Sequence, residues 1–193
     1  MTTSYEAAVR LFNLGEFDEI RHSTDLGDAS LRRLNVAHQL VVAQSLALMN
    51  EVQLAVHVLR FVDTDSCSAL IRSQYHLTLG LTDERTGASA EALAHFQTAL
   101  RFATAAADDL QIAWSRVRIL RHMIDRGAVD ASTVLLRDAR SAAIRAGNAH
   151  VTVFLHESVA VLEGQLGRFD EARRHCDIAE SLLNTAPNAW LSE

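Results

Sequence analysis

The sequence predicts an all-α fold made of about five antiparallel helix pairs stacked into a solenoid. A turn recurs five times, and the intervals between successive turns are 35, 37, 40 and 40 residues. The turn anchors are Gly15, Asn50, Gly87, Gly127 and Gly167. Self-similarity at this period is typical of stacked helix pairs. The 193 residues include one proline and only 6% aromatic residues, which argues against a β-sandwich.

The first two repeats are predicted over residues 2–29 and 30–66. Thr3 and Glu6 have the spacing of a capping box, which marks a helix start. Gly15 ends that helix because glycine adopts the left-handed conformation of a helix C-terminus without penalty. Ser30 is expected to cap the next long helix, and Asn50 forms its turn because asparagine tolerates the same conformation.

Three longer repeats are predicted over residues 67–107, 108–147 and 148–187. Their helix pairs are expected near 67–86 and 89–105, 109–126 and 129–146, and 149–166 and 168–184. No linker, low-complexity stretch or change of composition interrupts the series. The sequence therefore predicts a single repeat domain over residues 1–193.

Small residues recur at two fixed distances from the turn anchors. Where two helices of a pair cross closely, only a small side chain fits between them. Seven residues before an anchor stand Ala8, Ala43, Gly80 and Ala160, and five residues after an anchor stand Ala55, Ala92, Ser132 and Ala172. Ile20 and Leu120 are large residues at such positions and depart from the pattern.

The fifth repeat, with Ala160, Gly167, Phe169, Ala172, Ala179 and Pro187, resembles the tetratricopeptide repeat family. The third repeat adds Leu79, Gly80, Gly87, Ala92, Phe96 and Ala99. The resemblance implies a right-handed superhelix in which the first helix of each pair lines a concave surface. The lengthened period of 40 is similar to the helical sensor regions of bacterial regulators, including large ATP-dependent transcription activators.

That resemblance implies a partner-binding groove with a largely apolar lining. Its predicted residues are Tyr5, Val9, Phe12, Leu40, Gln44, Leu77, Leu81, Trp114, Arg118, Arg121, Phe154 and Glu157. The groove would hold a peptide or protein segment, with an arginine binding a carboxylate. The expected function is a non-catalytic protein–protein interaction module. Two alternatives stay open: the groove senses a small effector molecule, or these side chains only pack against neighbouring helices.

No residue set has the spacing of an active site, so we expect no enzyme, no cofactor and no metal. The nine histidines include no zinc-protease pair, and surface or capping positions are expected for them. Cys176 is expected in the core. Cys67 and Cys176 lie 109 residues apart, which does not fit a secreted disulfide framework and favours the cytoplasm.

The formal net charge of −6 argues against general nucleic-acid binding. All 18 basic residues are arginine. The arginine cluster Arg116, Arg118, Arg121 and Arg126 is expected to form an ion-paired face, with contact to an acidic partner or a nucleic-acid backbone as the alternative. The most apolar window, residues 40–49, is too short to span a membrane, and no signal peptide is expected.

Residues 187–193 look like the opening of a further helix, so we expect either a piece of a longer protein or self-association through the terminal helices.

Overall fold

The computed structural model of this protein describes residues 4–13 and 15–185. Within them the chain forms eleven α-helices and no strand, which confirms the all-α class. The helices are α1 (Tyr5–Asn13), α2 (Phe17–Ser23), α3 (Asp28–Leu31), α4 (Val36–Leu48), α5 (Val52–Leu59), α6 (Ala69–Thr86), α7 (Ser89–Ala106), α8 (Asp109–Asp125), α9 (Val129–Ala146), α10 (Ala149–Gln165) and α11 (Phe169–Thr185). Helices α6 to α11 begin and end within two residues of the predicted bounds.

All five predicted turn anchors adopt the left-handed backbone conformation. Their φ angles lie between 65° at Asn50 and 81° at Gly87. An ordinary L-residue is strained in this region, whereas glycine has no Cβ to clash and asparagine is the next most tolerant residue. The recurring turn is therefore a backbone requirement, which explains why a regular spacing of these residue types predicted the helix ends.

The first helices of the second to fifth repeats begin with a side-chain cap. Asn35 caps α4, Ser68 caps α6, Asp108 caps α8 and Asn148 caps α10, each accepting a hydrogen bond from a backbone N–H of the first turn. Such caps satisfy N–H groups that have no partner inside the helix. Together with the left-handed turns, they fix where each helix pair starts and folds back.

Two predicted caps are wrong or lie outside the described residues. Ser30 falls inside the one-turn helix α3, and Asn35 caps α4 instead by accepting the N–H of His38 at 2.8 Å. Thr3 lies outside the described residues. At α1, the hydroxyl of Ser4 accepts the N–H of Ala7 at 3.2 Å.

Close approach of two helices is most evident in the third repeat. A Cβ atom added to Gly80 of α6 would lie 2.4 Å from Cε1 of Phe96 on α7, and Phe96 is fully buried. Only glycine leaves room for that ring, so the expectation of a small residue is confirmed at Gly80. Ile20 and Leu120, the two large residues in the pattern, are fully buried core side chains.

The helices form two compact units, with the boundary between Ala106 and Ala107. In the first unit, α6 packs on α7, and α4 packs on α1, α2, α5 and α6. In the second unit, α8 packs on α9, α10 packs on α11, and α10 also contacts α8 and α9. The boundary falls within one residue of the predicted end of the third repeat. A single domain over residues 1–193 stays a prediction.

Candidate functional site

Three of the predicted groove residues lie together on α8 and α10 of the second unit. The ring centroids of Trp114 and Phe154 are 6.0 Å apart. The guanidinium carbon of Arg118 lies 4.1 Å from the Phe154 centroid and 5.9 Å from the Trp114 centroid. Each of the three side chains is half-buried. This Trp114–Arg118–Phe154 cluster has cation–π geometry and offers both an apolar and a cationic surface.

Two further predicted residues, Arg121 and Glu157, lie on the same two helices. Positions 114, 118 and 121 recur at helical spacing on α8, and Glu157 is one turn from Phe154 on α10. The guanidinium Nε of Arg121 donates to a carboxylate oxygen of Asp125 at 2.8 Å. The carboxylate next to Arg121 is therefore supplied by the chain itself. Glu157 is exposed.

Four of the predicted groove residues belong to the core, and their assignment to a partner-binding surface is wrong. Phe12, Leu40, Leu77 and Leu81 are only 5%, 3%, 2% and 4% exposed. The physical reason is the number of neighbours: α4 is packed against four other helices, and α6 against α4, α5 and α7. Apolar side chains on these helices are buried by neighbouring pairs and stabilise the fold.

The remaining predicted groove residues, Tyr5, Val9 and Gln44, lie in the first unit. The ring of Tyr5 packs on that of His38 with centroids 6.0 Å apart, and Tyr5 is 37% exposed. Val9 and Gln44 are half-buried.

Sequence reasoning missed a pair of histidines that occurs twice. Nδ1 of His76 lies 3.0 Å from Nδ1 of His95, and Nδ1 of His156 lies 2.7 Å from Nδ1 of His175. In both cases the first histidine stands eleven residues before a turn glycine and the second eight residues after it. Spacing relative to the turn anchors was the signal that could have found them. The expectation of surface or capping positions is wrong for these four half-buried residues.

An aromatic ring and a carboxylate contact the first-unit pair. The ring of His76 stacks on Phe102 with centroids 5.7 Å apart and an angle of 12° between the planes. Nε2 of His95 lies 3.5 Å from a carboxylate oxygen of Asp83. Burial, the partner His95 and the charge of Arg101 lower the pKa of His76. Burial raises the pKa of Asp83.

The second-unit pair lines a cavity of about 210 Å³ between α9, α10 and α11. Leu182 occupies the repeat position that Phe102 has in the third repeat. Glu163, at the position of Asp83, forms an ion pair with Arg168. Burial, His175 and Arg140 lower the pKa of His156.

Within residues 4–13 and 15–185, no three histidine, cysteine or carboxylate side chains converge as a metal site. Both cysteines are free thiols. Cys176 is exposed on α11, so its predicted core position is wrong. None of the described helices is long and apolar enough to cross a lipid bilayer.

The C-cap of α10 and helix α11 expose four large apolar side chains. Leu166, Phe169, Ile178 and Leu183 are 39%, 70%, 42% and 42% exposed. Apolar surface of this kind often marks an interaction site. Self-association through the terminal helices stays a prediction.

No protein-family model matches the chain, and no curated protein or solved structure matches it either. The resemblance to tetratricopeptide repeats therefore rests on the repeat positions alone, and membership of that family stays a prediction.

Proposed function

We propose that this chain is a non-catalytic protein-interaction module, acting in the cytoplasm as a sensor or scaffold region of a bacterial regulatory protein. It binds a peptide or protein segment across the first helices of its later repeats. In this proposal the helix pairs continue as a right-handed solenoid, as the resemblance implies. The module uses no metal and no cofactor.

The Trp114–Arg118–Phe154 cluster is the observation that carries the proposal. Aromatic and arginine side chains are enriched among the residues that dominate the energetics of protein interfaces, because aromatic rings bury a large area and the guanidinium binds carboxylates through two parallel hydrogen bonds. The guanidinium 4.1 Å above the Phe154 ring is held in place before a partner arrives. We therefore expect the cluster to bind an acidic segment with apolar side chains, with the carboxylate on Arg118.

The test is capture of a partner by the immobilised chain from a lysate of the source cell, with matched charge reversals. Arg118→Glu places a negative charge at the cluster, whereas Arg137→Glu makes the same change at an 87% exposed position of α9. A partner retained by the wild type and the Arg137→Glu variant, and lost by the Arg118→Glu variant, supports the proposal.

Affinity for the captured partner then gives a quantitative result. We expect a peptide from the bound segment to bind the Arg118→Glu variant at least about tenfold more weakly, since a reversed charge pair costs more than 1.4 kcal/mol. The same peptide should bind the Arg137→Glu variant within about twofold of the wild type. Equal retention by both variants would contradict the proposal.

A second candidate function is the sensing of a small effector. The cavity between α9, α10 and α11 favours it, because this site is distinct from the cluster on α8 and α10 and is lined by polar and apolar side chains.

A further inference from the structure

The cavity beside the second-unit histidine pair has the size of a small-ligand site. Its volume of about 210 Å³ is below the roughly 300–1,000 Å³ of sites for drug-sized molecules. This volume corresponds to about seven water molecules at roughly 30 Å³ each. Its lining residues are Arg140, Ala143, Ile144, Thr152, Leu155, His156, Val159 and His175. An occupant is therefore a molecule of few non-hydrogen atoms.

The polar part of the lining consists mainly of Arg140, His156 and His175. Across the described residues, no carboxylate lies within ion-pair distance of Arg140. The two Nδ1 atoms of the histidine pair are directed to each other, 2.7 Å apart. In a neutral pair of this kind one ring donates from Nδ1, so the other ring carries its hydrogen on Nε2. That N–H is a donor additional to the guanidinium.

The acidic residues nearest to the pair are already engaged by other arginines. Glu163 forms an ion pair with Arg168, and a carboxylate oxygen of Glu171 lies 2.8 Å from Nη1 of Arg174. The charge of Arg140 is therefore the uncompensated charge of the lining. A cation is disfavoured beside it, whereas an anion is attracted.

The remaining walls are apolar. Leu155 and Val159 of α10 are 4% and 2% exposed, and Ala143 of α9 is 2% exposed. Ile144 of α9 is 74% exposed and stands at the rim. A ligand that matches the whole lining has an anionic head and a short apolar body. Inorganic anions have the negative charge but lack the apolar body.

We propose that the cavity between α9, α10 and α11 binds a small organic monocarboxylate. The carboxylate binds Arg140 and the histidine pair, and the alkyl part packs on Leu155 and Val159. This inference deepens the effector-sensing candidate and is independent of partner binding at α8 and α10. Its experiments use the chain alone, so failure here and failure of the interaction proposal are distinguishable.

Binding of the carboxylate should be coupled to the uptake of a proton by the histidine pair. Burial comes first among the causes that lower the pKa of His156 and His175, and Arg140 adds to it, whereas Glu163 and Glu171 oppose it at His175. A bound carboxylate favours the protonated imidazole, so binding raises these pKa values. We expect the affinity to be higher at pH 6 than at pH 8.

The first test is a titration of the full chain with acetate, butanoate and hexanoate, followed by calorimetry and by NMR of the histidine ring protons. Affinity should increase about fourfold per buried methylene until the cavity is filled. The ring signals of His156 and His175 should shift, and those of His76 and His95 should not, because Phe102 stacks on His76 and Asp83 lies 3.5 Å from His95. Inorganic phosphate and hexan-1-ol serve as probes with only a charge or only an alkyl chain.

The second test removes the charge. The Arg140→Met variant should bind hexanoate at least about tenfold more weakly, because a charge-assisted bond is lost. The Arg137→Met variant, changed on the same helix at an exposed position, should bind within about twofold of the wild type.

Four outcomes would overturn the proposal. They are no binding of hexanoate at millimolar concentration, equal shifts at both histidine pairs, phosphate or hexan-1-ol binding as tightly as hexanoate, and unchanged binding by the Arg140→Met variant. The chain-length series on the wild type decides the matter even where a variant folds poorly.

Discussion

The two histidine pairs occupy the same repeat positions but have different surroundings. In the first unit, Phe102 stacks on His76 and Asp83 lies 3.5 Å from His95. In the second unit, the pair His156 and His175 lines a cavity. The backbone of the repeat brings two imidazoles together in both cases, within 3.0 Å.

The repeat position determines the helices between which a side chain lies. The residues at neighbouring positions determine whether that side chain is packed against others or borders a cavity. Replacing Phe102 by Leu182 removes a ring that could stack on the pair. Asp83 lies beside His95 in the first-unit pair, whereas Glu163, at the same repeat position, forms an ion pair with Arg168. With Leu182 in place of Phe102 and Leu155 in place of Tyr75, the second-unit pair has fewer rings around it and borders a cavity.

The largest expected effect tests the correction of the groove in the first unit. Leu77→Ala should lower the free energy of unfolding by about 2–5 kcal/mol, because the side chain is 2% exposed and its removal leaves a cavity. Leu183→Ala on α11, where the side chain is 42% exposed, should change it by less than about 0.5 kcal/mol. Urea unfolding followed by circular dichroism measures both. Similar values for the two variants would mean that Leu77 is not a core residue.

The next effect concerns the close helix approach of the third repeat. Gly80→Ala should cost about 1–3 kcal/mol in urea unfolding, because the new methyl group overlaps the buried Phe96 ring. Adding Phe96→Leu to Gly80→Ala should recover part of that loss if the ring is the cause.

The fifth repeat provides the control for this crossing, since it has Ala160 and Cys176 at the same two positions. Ala160→Gly should cost about 1 kcal/mol, the usual difference in helix propensity. A stabilising effect of Gly80→Ala would show that the helices of the third repeat do not approach as closely as described.

A smaller difference is expected between the two arginines of α8. Arg118→Ala should cost about 0.5–1 kcal/mol through the lost contact with the Phe154 ring. Arg121→Ala removes a partly exposed ion pair with Asp125 and should cost about 0.3–0.5 kcal/mol. Thermal unfolding with a matched Arg137→Ala control compares them. A larger loss of stability for Arg121→Ala than for Arg118→Ala would mean that the ion pair stabilises this part of α8 more than the aromatic contact does.

The smallest effect is on proton binding. NMR titration should show His156 and His175 with pKa values below the ordinary 6.5, and Arg140→Met should raise both. The pKa values of these histidines are lower in the folded chain than in the unfolded chain, so the unfolded chain binds more protons below about pH 6.5. The free energy of unfolding should therefore fall as the pH drops through that point. His76, whose charged neighbour is Arg101, should titrate as in the wild type. A raised pKa at His76 as well would contradict a local effect of Arg140.

The sequence predicted the helices because their ends depend on local chemistry. A left-handed turn favours glycine or asparagine, and five such residues at regular spacing are visible without a structure. The resemblance to tetratricopeptide repeats predicted Trp114, Arg118 and Phe154 for one surface, and the structure brings these three side chains together. The burial of Leu77 and Leu81 could not be read in the same way, since an apolar residue has the same pattern in a core and in a groove. The histidine pairs join residues on two helices, so their contact became evident only from the packing.

The most direct test of the proposed function is site-specific photo-crosslinking in the source cell. A photoreactive residue at position 157 lies on α10 beside the Trp114–Arg118–Phe154 cluster, and the same residue at position 137 lies on an exposed part of α9. The proposal predicts a protein adduct from position 157 that the Arg118→Glu variant abolishes, and none from position 137. Adducts of equal yield from both positions, or from position 137 alone, would contradict binding at this face.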